Sequence, residues 1–228
     1  MKQISDSAAK WAPQVLAELK RQGIPLPPEL ILAVIDVESR GVPGLVNPKS
    51  GASGLMQVMP ITLQSYNATH AVKFTLQDMR SRENPVAQIR VGIWILGQYW
   101  RAAHVYLSRR LATIPMDELA KISDLMYAAG GQAVRNLLDK IPVPTVQGLR
   151  DRFPNWNALP HIDNVFDRVS TDSISDTAIN AWISTSAKSS VKPPGNTAAD
   201  IIVKAIVGIA IGYVVNLVLR KIGVFNVE

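Results

Sequence analysis

Glu38 is the residue whose sequence surroundings best suit acid–base chemistry. It follows an almost wholly apolar stretch, residues 30–37, which predicts a buried helix. Burial and the negative end of the helix dipole both disfavour a carboxylate, so both are expected to raise the pKa of Glu38. A carboxylic acid that stays protonated near neutral pH can act as a general acid, for example toward a glycosidic oxygen. The alternative is an ordinary glutamate at a helix end, paired with Arg40.

Asp36 is the nearest second acid, but it is not expected to form a catalytic pair with Glu38. In a helix, two positions separate their side chains by roughly 200°. Ile31 and Ile35, in contrast, share the face of Glu38. This helix therefore presents one acid, not two, on its apolar face.

The composition excludes several other chemistries. The chain has no cysteine, which rules out thiolate nucleophiles, cysteine-ligated metals and disulfides. The histidines are His70, His104 and His161, far apart in sequence and without paired spacing, which argues against a zinc site and a histidine-based triad. We therefore expect no metal and no cofactor, and assign any catalysis to carboxylates.

Helical periodicity runs through the first three quarters of the chain, and no convincing run of alternating strand residues interrupts it. Asn84 and Pro85 together predict a helix start, with Asn as cap and Pro in the first turn. This pattern predicts an all-α domain over residues 1–170. The predicted helices are 8–22, 28–40, a short one from Pro60, 84–107, one from Pro115 to Gly130, one carrying Val134, Leu137 and Leu138, and 160–169.

The C-terminal quarter has a different composition. Residues 171–198 are rich in Ser, Thr, Asp and Lys, which predicts a polar linker. An apolar run from Ile201 to Leu219 follows, and as a helix it would be about 28 Å long, close to the hydrocarbon thickness of a bilayer. We expect a single transmembrane helix at 199–221 and a short tail at 222–228. A buried core helix is the alternative.

Two expected partners follow from this C-terminal run and from the charge. The run predicts contact with a lipid membrane, and Gly208 and Gly212 form a small-residue face that can pack another helix. The net charge of +6 is scattered, without a basic stripe interleaved with aromatic residues. We interpret it as a solvated basic surface and expect no nucleic-acid partner.

The sequence from Glu38 onward closely resembles the lytic transglycosylases of the soluble-lytic-transglycosylase (SLT, goose-lysozyme-like) family. Glu38 begins Glu-Ser-Arg-Gly, and residues 50–60 read Ser-Gly-Ala-Ser-Gly-Leu-Met-Gln-Val-Met-Pro. In that family a Glu-Ser pair ends the catalytic helix and a Gly-Ala-x-Gly-Leu-Met-Gln-x-Met-Pro segment follows. Asn84-Pro85 and Tyr127-Ala-Ala-Gly resemble its later signatures more loosely, with Ala128 where the family usually has Asn.

The resemblance covers about residues 11–169 and implies a lysozyme-like catalytic domain with roles for the matched residues. Glu38 would be the sole catalytic acid and then the base. The saccharide groove would be lined by Ser50, Met56 and Gln57, with Gln57 hydrogen-bonding an acetamido group. Tyr127 would hydrogen-bond Glu38 and orient it.

The implied reaction is cleavage of the β-1,4 bond between N-acetylmuramic acid and N-acetylglucosamine in peptidoglycan, with a 1,6-anhydro product. One alternative is a goose-type lysozyme hydrolase, which would need a second carboxylate from Asp78, Glu83 or Asp163. Another is a non-catalytic glycan-binding component of a membrane or virion.

The expected location combines the apolar C-terminal run with the N-terminal sequence. Residues 1–10 lack the apolar segment of a secretory signal, and no cysteine is present for lipid attachment. These features favour a protein of the internal membrane of a lipid-containing phage, which opens the cell wall as the phage enters. The alternative is the bacterial inner membrane, with the catalytic domain facing the periplasm, as a tail-anchored or secretion-system enzyme.

Overall fold

The structure, a computed structural model, describes residues 2–169. The predicted linker (171–198), the predicted transmembrane helix (199–221) with Gly208 and Gly212, and the tail (222–228) lie outside the described residues. None of the helices between residues 2 and 169 has the length and apolar character that a membrane span requires.

The described residues form helices joined by ordered loops, without a β-strand. Only isolated bridges occur there, linking Val46 with Ser53 and Ser53 with Val58. The prediction of an all-α domain is therefore confirmed for this part of the chain. The helices are α1 (Asp6–Ala9), α2 (Ala12–Gln22), α3 (Pro28–Ser39), α4 (Pro60–Thr69), α5 (Leu76–Arg80), α6 (Pro85–Leu107), α7 (Met116–Ala129), α8 (Gly131–Leu138), α9 (Val146–Arg152) and α10 (Leu159–Phe166).

Local sequence signals explain several helix ends. Asn84 accepts a hydrogen bond from the backbone N–H of Ala87 (3.4 Å) and Pro85 opens α6, as predicted. α3 ends because Arg40 adopts a left-handed conformation (φ 53°), where its N–H closes onto the carbonyl of Asp36. The predicted single helix over 8–22 is wrong: α1 ends at Ala9, and α2 begins at Ala12 with a proline in its first turn.

Helix α3 lies at the centre of the main hydrophobic core. Residues 30–36 of this helix are all buried. α1, α2 and α10 pack against it, while the long helix α6 packs against α2 and α7. α10 contacts both α3 and α7, so it connects the two helices that carry Glu38 and Tyr127.

Asp36 is buried on the side of α3 that contacts residues near the beginning and the end of the described chain. Its Oδ1 accepts a hydrogen bond from Ser5 Oγ (2.5 Å), and its Oδ2 accepts one from Arg168 Nε (2.7 Å). Burial alone would raise the pKa of Asp36, but these two hydrogen bonds lower it. Asp36 is thus a structural residue with partners of its own, in agreement with the helical phase that separates it from Glu38.

Candidate active site

Glu38 lies in the last turn of α3, with 21% of its side chain exposed. Burial raises its pKa to about 7, the positive charge of His161 opposes this rise, and the negative charge of Asp124 adds to it. No basic residue occupies the last turn of α3 to offset the helix dipole. The carboxyl group is therefore both reachable from solvent and poised to change protonation state near neutral pH.

A compact loop, residues 41–59, follows α3 and is folded largely by its own backbone. Ser53 and Val58 exchange two backbone hydrogen bonds (3.0 and 2.8 Å), and the N–H of Gly54 donates to the carbonyl of Leu45 (2.8 Å). Gln57 has a left-handed backbone (φ 46°), which is uncommon for a residue with a side chain. Such a conformation persists only where its surroundings enforce it, and it occurs often at functional sites.

Three helices hold this loop in place. From α3, Ser39 Oγ donates to the carbonyl of Leu55 (2.8 Å). From α6, the fully buried Gln88 accepts the N–H of Leu55 at its Oε1 (2.9 Å). From α7, the Tyr127 hydroxyl donates to the carbonyl of Met56. Ser39, the second residue of the Glu-Ser pair, thus links α3, which carries Glu38, to the loop that follows this helix.

Gly54 of the loop and Gly92 of α6 are both explained by close contacts at this loop. A Cβ atom at Gly54 would lie 2.7 Å from Cγ of Gln88, and Gly54 also has a left-handed φ of 81°. A Cβ atom at Gly92 of α6 would collide with the side chain of Met56. Glycine at both positions allows the loop to approach α6 closely.

The structure places the predicted saccharide-binding residues at different depths. Ser50 is exposed, and Gln57 is partly exposed. Nε2 of Gln57 donates to the carbonyls of Leu45 and Gly54 (both 3.1 Å), while its Oε1 accepts no hydrogen bond from residues 2–169. Met56 is fully buried, so its side chain packs inside the domain and does not line a surface groove, contrary to expectation.

Tyr127 is close to Glu38 but does not make the predicted hydrogen bond with it. Its hydroxyl is directed to the carbonyl of Met56 instead. The pKa of Tyr127 is raised, first by burial and then by the negative charges of Glu38 and Asp124. The observed contact makes Tyr127 a support for the loop.

His161 and Asp124 are neighbours of Glu38 that could not be recognised as a group from the sequence. His161 Nδ1 lies 3.9 Å from Oε1 of Glu38, and His161 Nε2 lies 3.4 Å from Oδ2 of Asp124. A signal for Asp124 existed, because it precedes Tyr127 by one helical turn on α7 and so shares its face. His161 carried no local signal, since only the packing of α10 brings it to α3.

Two of the other acids proposed for a two-carboxylate mechanism have partners of their own, and the third is exposed. Asp78 caps α5 through Thr75 (2.7 Å), Asp163 pairs with Arg150, and Glu83 is exposed. None of them is among the charged neighbours of Glu38 within the described residues, nor is Arg40. Between residues 2 and 169, His, Asp and Glu side chains form no group of three that could hold a metal ion.

Comparison with known proteins gives one family. No curated protein matches the chain. The family described as "Transglycosylase SLT domain" matches residues 16–136, which is more than half of the 228 residues and includes Glu38, the loop at 41–59 and Tyr127. Its members are lytic transglycosylases that act on peptidoglycan. The chain belongs to this SLT transglycosylase family and is an enzyme of that class.

Proposed function

We propose that Glu38 is the acid, and then the base, with which this lytic transglycosylase cleaves the β-1,4 bond between N-acetylmuramic acid and N-acetylglucosamine. The observation that carries the proposal is the partly exposed carboxyl group with a pKa of about 7 at the end of the buried helix α3. A pKa near the working pH suits a group that must both give and take a proton.

The proposed reaction uses one carboxyl group twice. Protonated Glu38 donates to the glycosidic oxygen as the bond from that oxygen to C1 of the muramoyl residue breaks. The substrate's own acetamido oxygen shares the positive charge that develops at C1. The Glu38 carboxylate then accepts the proton of the C6 hydroxyl, and O6 bonds to C1. Glu38 is protonated again, no water is consumed, and the product carries a 1,6-anhydro end.

We assign the binding of the substrate's acetamido group to the loop beside Glu38. Gln57 is held there by two hydrogen bonds from its Nε2, which leaves its Oε1 to accept the acetamido N–H. Ser50 lies on the same loop and is exposed. Both residues are proposed saccharide contacts, whereas Met56 and Tyr127 support the loop from inside.

The test is Glu38→Gln on purified peptidoglycan, with zymography and mass spectrometry of the released ends. We expect wild type to produce anhydro ends and the variant to lose activity by about 10²- to 10⁴-fold, the usual contribution of general acid–base catalysis. Glu29→Gln, an exposed glutamate in the first turn of the same helix, is the matched control and should retain activity. Reducing ends without anhydro ends would indicate the hydrolase instead. Undiminished cleavage by Glu38→Gln would refute the role of Glu38.

We further propose that the run from Ile201 to Leu219 anchors the catalytic domain to a lipid membrane. The support is its length and apolar composition after a polar linker. Replacing both Val207 and Val214 with Asp should release the full chain from membranes in carbonate extraction, because charges at mid-span are costly. Val143→Asp, at an exposed valine of the catalytic domain, should stay membrane-bound. Retention of the double variant would exclude this anchor.

The proposed membrane is the internal membrane of a lipid-containing phage, where the enzyme would open the wall locally as the phage enters. A bacterial inner membrane, with the domain facing the periplasm, is the alternative location. Mass spectrometry of purified virion membranes and of envelopes from uninfected cells distinguishes the two. Detection only in uninfected envelopes would refute the phage location.

A further inference from the structure

Helix α10 inserts one imidazole between two carboxyl groups that come from two other helices. His161 Nδ1 faces Glu38 of α3 at 3.9 Å, and its Nε2 faces both oxygens of Asp124 of α7, at 3.5 Å from Oδ1 and 3.4 Å from Oδ2. Only 16% of the His161 side chain is exposed, and the Asp124 side chain is fully buried. The three groups form a row that leads from the interior to the proposed catalytic acid.

Asp124 is the unusual member of this row. A fully buried carboxylate is costly unless a cation or hydrogen-bond donors compensate it. His161 is the one side chain among residues 2–169 that lies within reach of Asp124 as a hydrogen-bond donor or a cation. A protonated His161 is therefore the group placed to compensate a carboxylate at Asp124.

The groups around His161 decide the direction in which its pKa is shifted. Burial lowers the pKa of His161, but the hydrogen bond and charge of Asp124, together with the charge of Glu38, outweigh it and raise that pKa. Tyr127 of α7 faces the same groups, with Tyr99 of α6 beyond it. Both hydroxyls have raised pKa values and stay neutral near pH 7. When protonated, His161 is the one positive charge of the described residues that acts on Glu38.

We propose that His161, held protonated by Asp124, is a positioning residue that stabilises the Glu38 carboxylate formed when the leaving oxygen takes the proton. The proposal rests on the catalytic role of Glu38 proposed above. At 3.9 Å the imidazole does not hydrogen-bond the resting acid, but it is close enough to stabilise its negative charge. The reacting proton moves between Glu38 and the substrate, and His161 keeps its own.

The first test is the pH dependence of kcat/KM for His161→Gln in the full chain, measured on peptidoglycan by release of anhydro ends. Without the facing cation the Glu38 carboxylate is less stable, so the alkaline limb should move to higher pH by about one unit, and the maximal rate should fall by about tenfold. His104→Gln, at an exposed histidine of α6, should change neither. An unmoved alkaline limb would overturn the proposal, because a merely structural histidine would not shift it.

A second test leaves His161 in place, in case its replacement prevents folding. If His161 stabilises the Glu38 carboxylate, the reciprocal effect must also hold, and that carboxylate raises the pKa of His161. An NMR titration of the His161 ring proton should therefore show a lower pKa in Glu38→Gln, and a lower one in Asp124→Asn, than in wild type. A His161 pKa unchanged in either variant would contradict the proposal.

The two proposals fail in different ways. Activity retained by Glu38→Gln would remove the catalytic role of Glu38, and with it the basis of this inference. Activity lost in Glu38→Gln, with no shift of the alkaline limb in His161→Gln, would remove only the role of His161.

Discussion

Glu38 has a pKa of about 7 in the folded chain, compared with an ordinary value of 4.5. Between these two values the folded state keeps a proton that the unfolded state releases. Rising pH therefore favours unfolding through this group, which is the opposite of the usual effect of an ion-paired carboxylate. The difference corresponds to about 3 kcal/mol of lost stability once the pH is above 7. The same burial that makes Glu38 a usable acid thus weakens the fold at neutral and alkaline pH.

We predict that Glu38→Gln raises the free energy of unfolding at pH 8 by about 3 kcal/mol, because the neutral amide avoids the buried negative charge. At pH 4.5 the gain should nearly vanish, since the folded wild type is then protonated. Urea melts at the two pH values measure the effect. Glu29→Gln, which alters an exposed carboxylate, should show no such pH-dependent gain. Equal stability of Glu38→Gln and wild type at pH 8 would contradict the prediction.

Single residues could be predicted from the sequence where the pattern that marks them lies in neighbouring residues. Glu38 could be identified from its helix and motif, and the separation of Asp36 followed from helical phase alone. His161 could not be identified, because 123 positions separate it from Glu38 in the chain and only tertiary packing joins them. The burial of the Met56 side chain was not predicted. The motif identifies the position, but it does not show whether the side chain or the backbone of that residue makes the relevant contact.

At the scale of elements, the loop at 41–59 depends on helices that are distant in sequence. Ser39 of α3, Gln88 of α6 and Tyr127 of α7 each bond to its backbone. Because hydrogen bonds from three helices hold its backbone, the loop keeps Gln57 in one orientation in the absence of substrate. If Gln57 contacts the glycan as proposed, this preorganisation lowers the entropic cost of binding it.

We predict that Tyr127→Phe destabilises the protein by about 1–3 kcal/mol, because it leaves the Met56 carbonyl without its hydrogen bond. The loosened loop should also raise KM for peptidoglycan more than it lowers kcat. Thermal melts and steady-state kinetics measure the two effects. Tyr106→Phe, which removes a hydroxyl bonded to Asp139 on the surface, is the control and should have little effect. A large fall in kcat alone would favour the direct contact with Glu38 that the family resemblance implied.

The elements that the sequence could predict were those with strong local signals. The start of α6 was predicted from Asn84-Pro85, and α3 from its apolar run. The five-residue helix α5 was missed, although a capping box between Thr75 and Asp78 defines it, because so short a helix offers too few periodic positions. α9 was missed for the same reason. A proline in the first turn of α2 separates this helix from α1. The break between the two helices was not predicted and is evident only from the way they pack.

At the scale of the whole molecule, the helical fold and the proposed catalytic residues lie within residues 2–169, whereas the predicted anchor belongs to residues outside them. The all-α architecture could be predicted because helical periodicity persists while strand alternation is missing. The arrangement of the helices could not, since it depends on which apolar faces meet. α10 illustrates this: its sequence indicates a short amphipathic helix, but only its position between α3 and α7 gives His161 its neighbours.

The contacts of Asp36 have a consequence for the topology of the domain. Ser5 and Arg168 meet on this one carboxylate, and the N–H of Lys2 donates to the carbonyl of Asp167 (2.7 Å). The beginning and the end of the described part of the chain are thus neighbours. A short peptide could close the backbone there, and new termini could be cut into an exposed loop, to give a circularly permuted enzyme with the same active site. By the same geometry, the domain is suited to insertion as a unit between adjacent residues of a host protein.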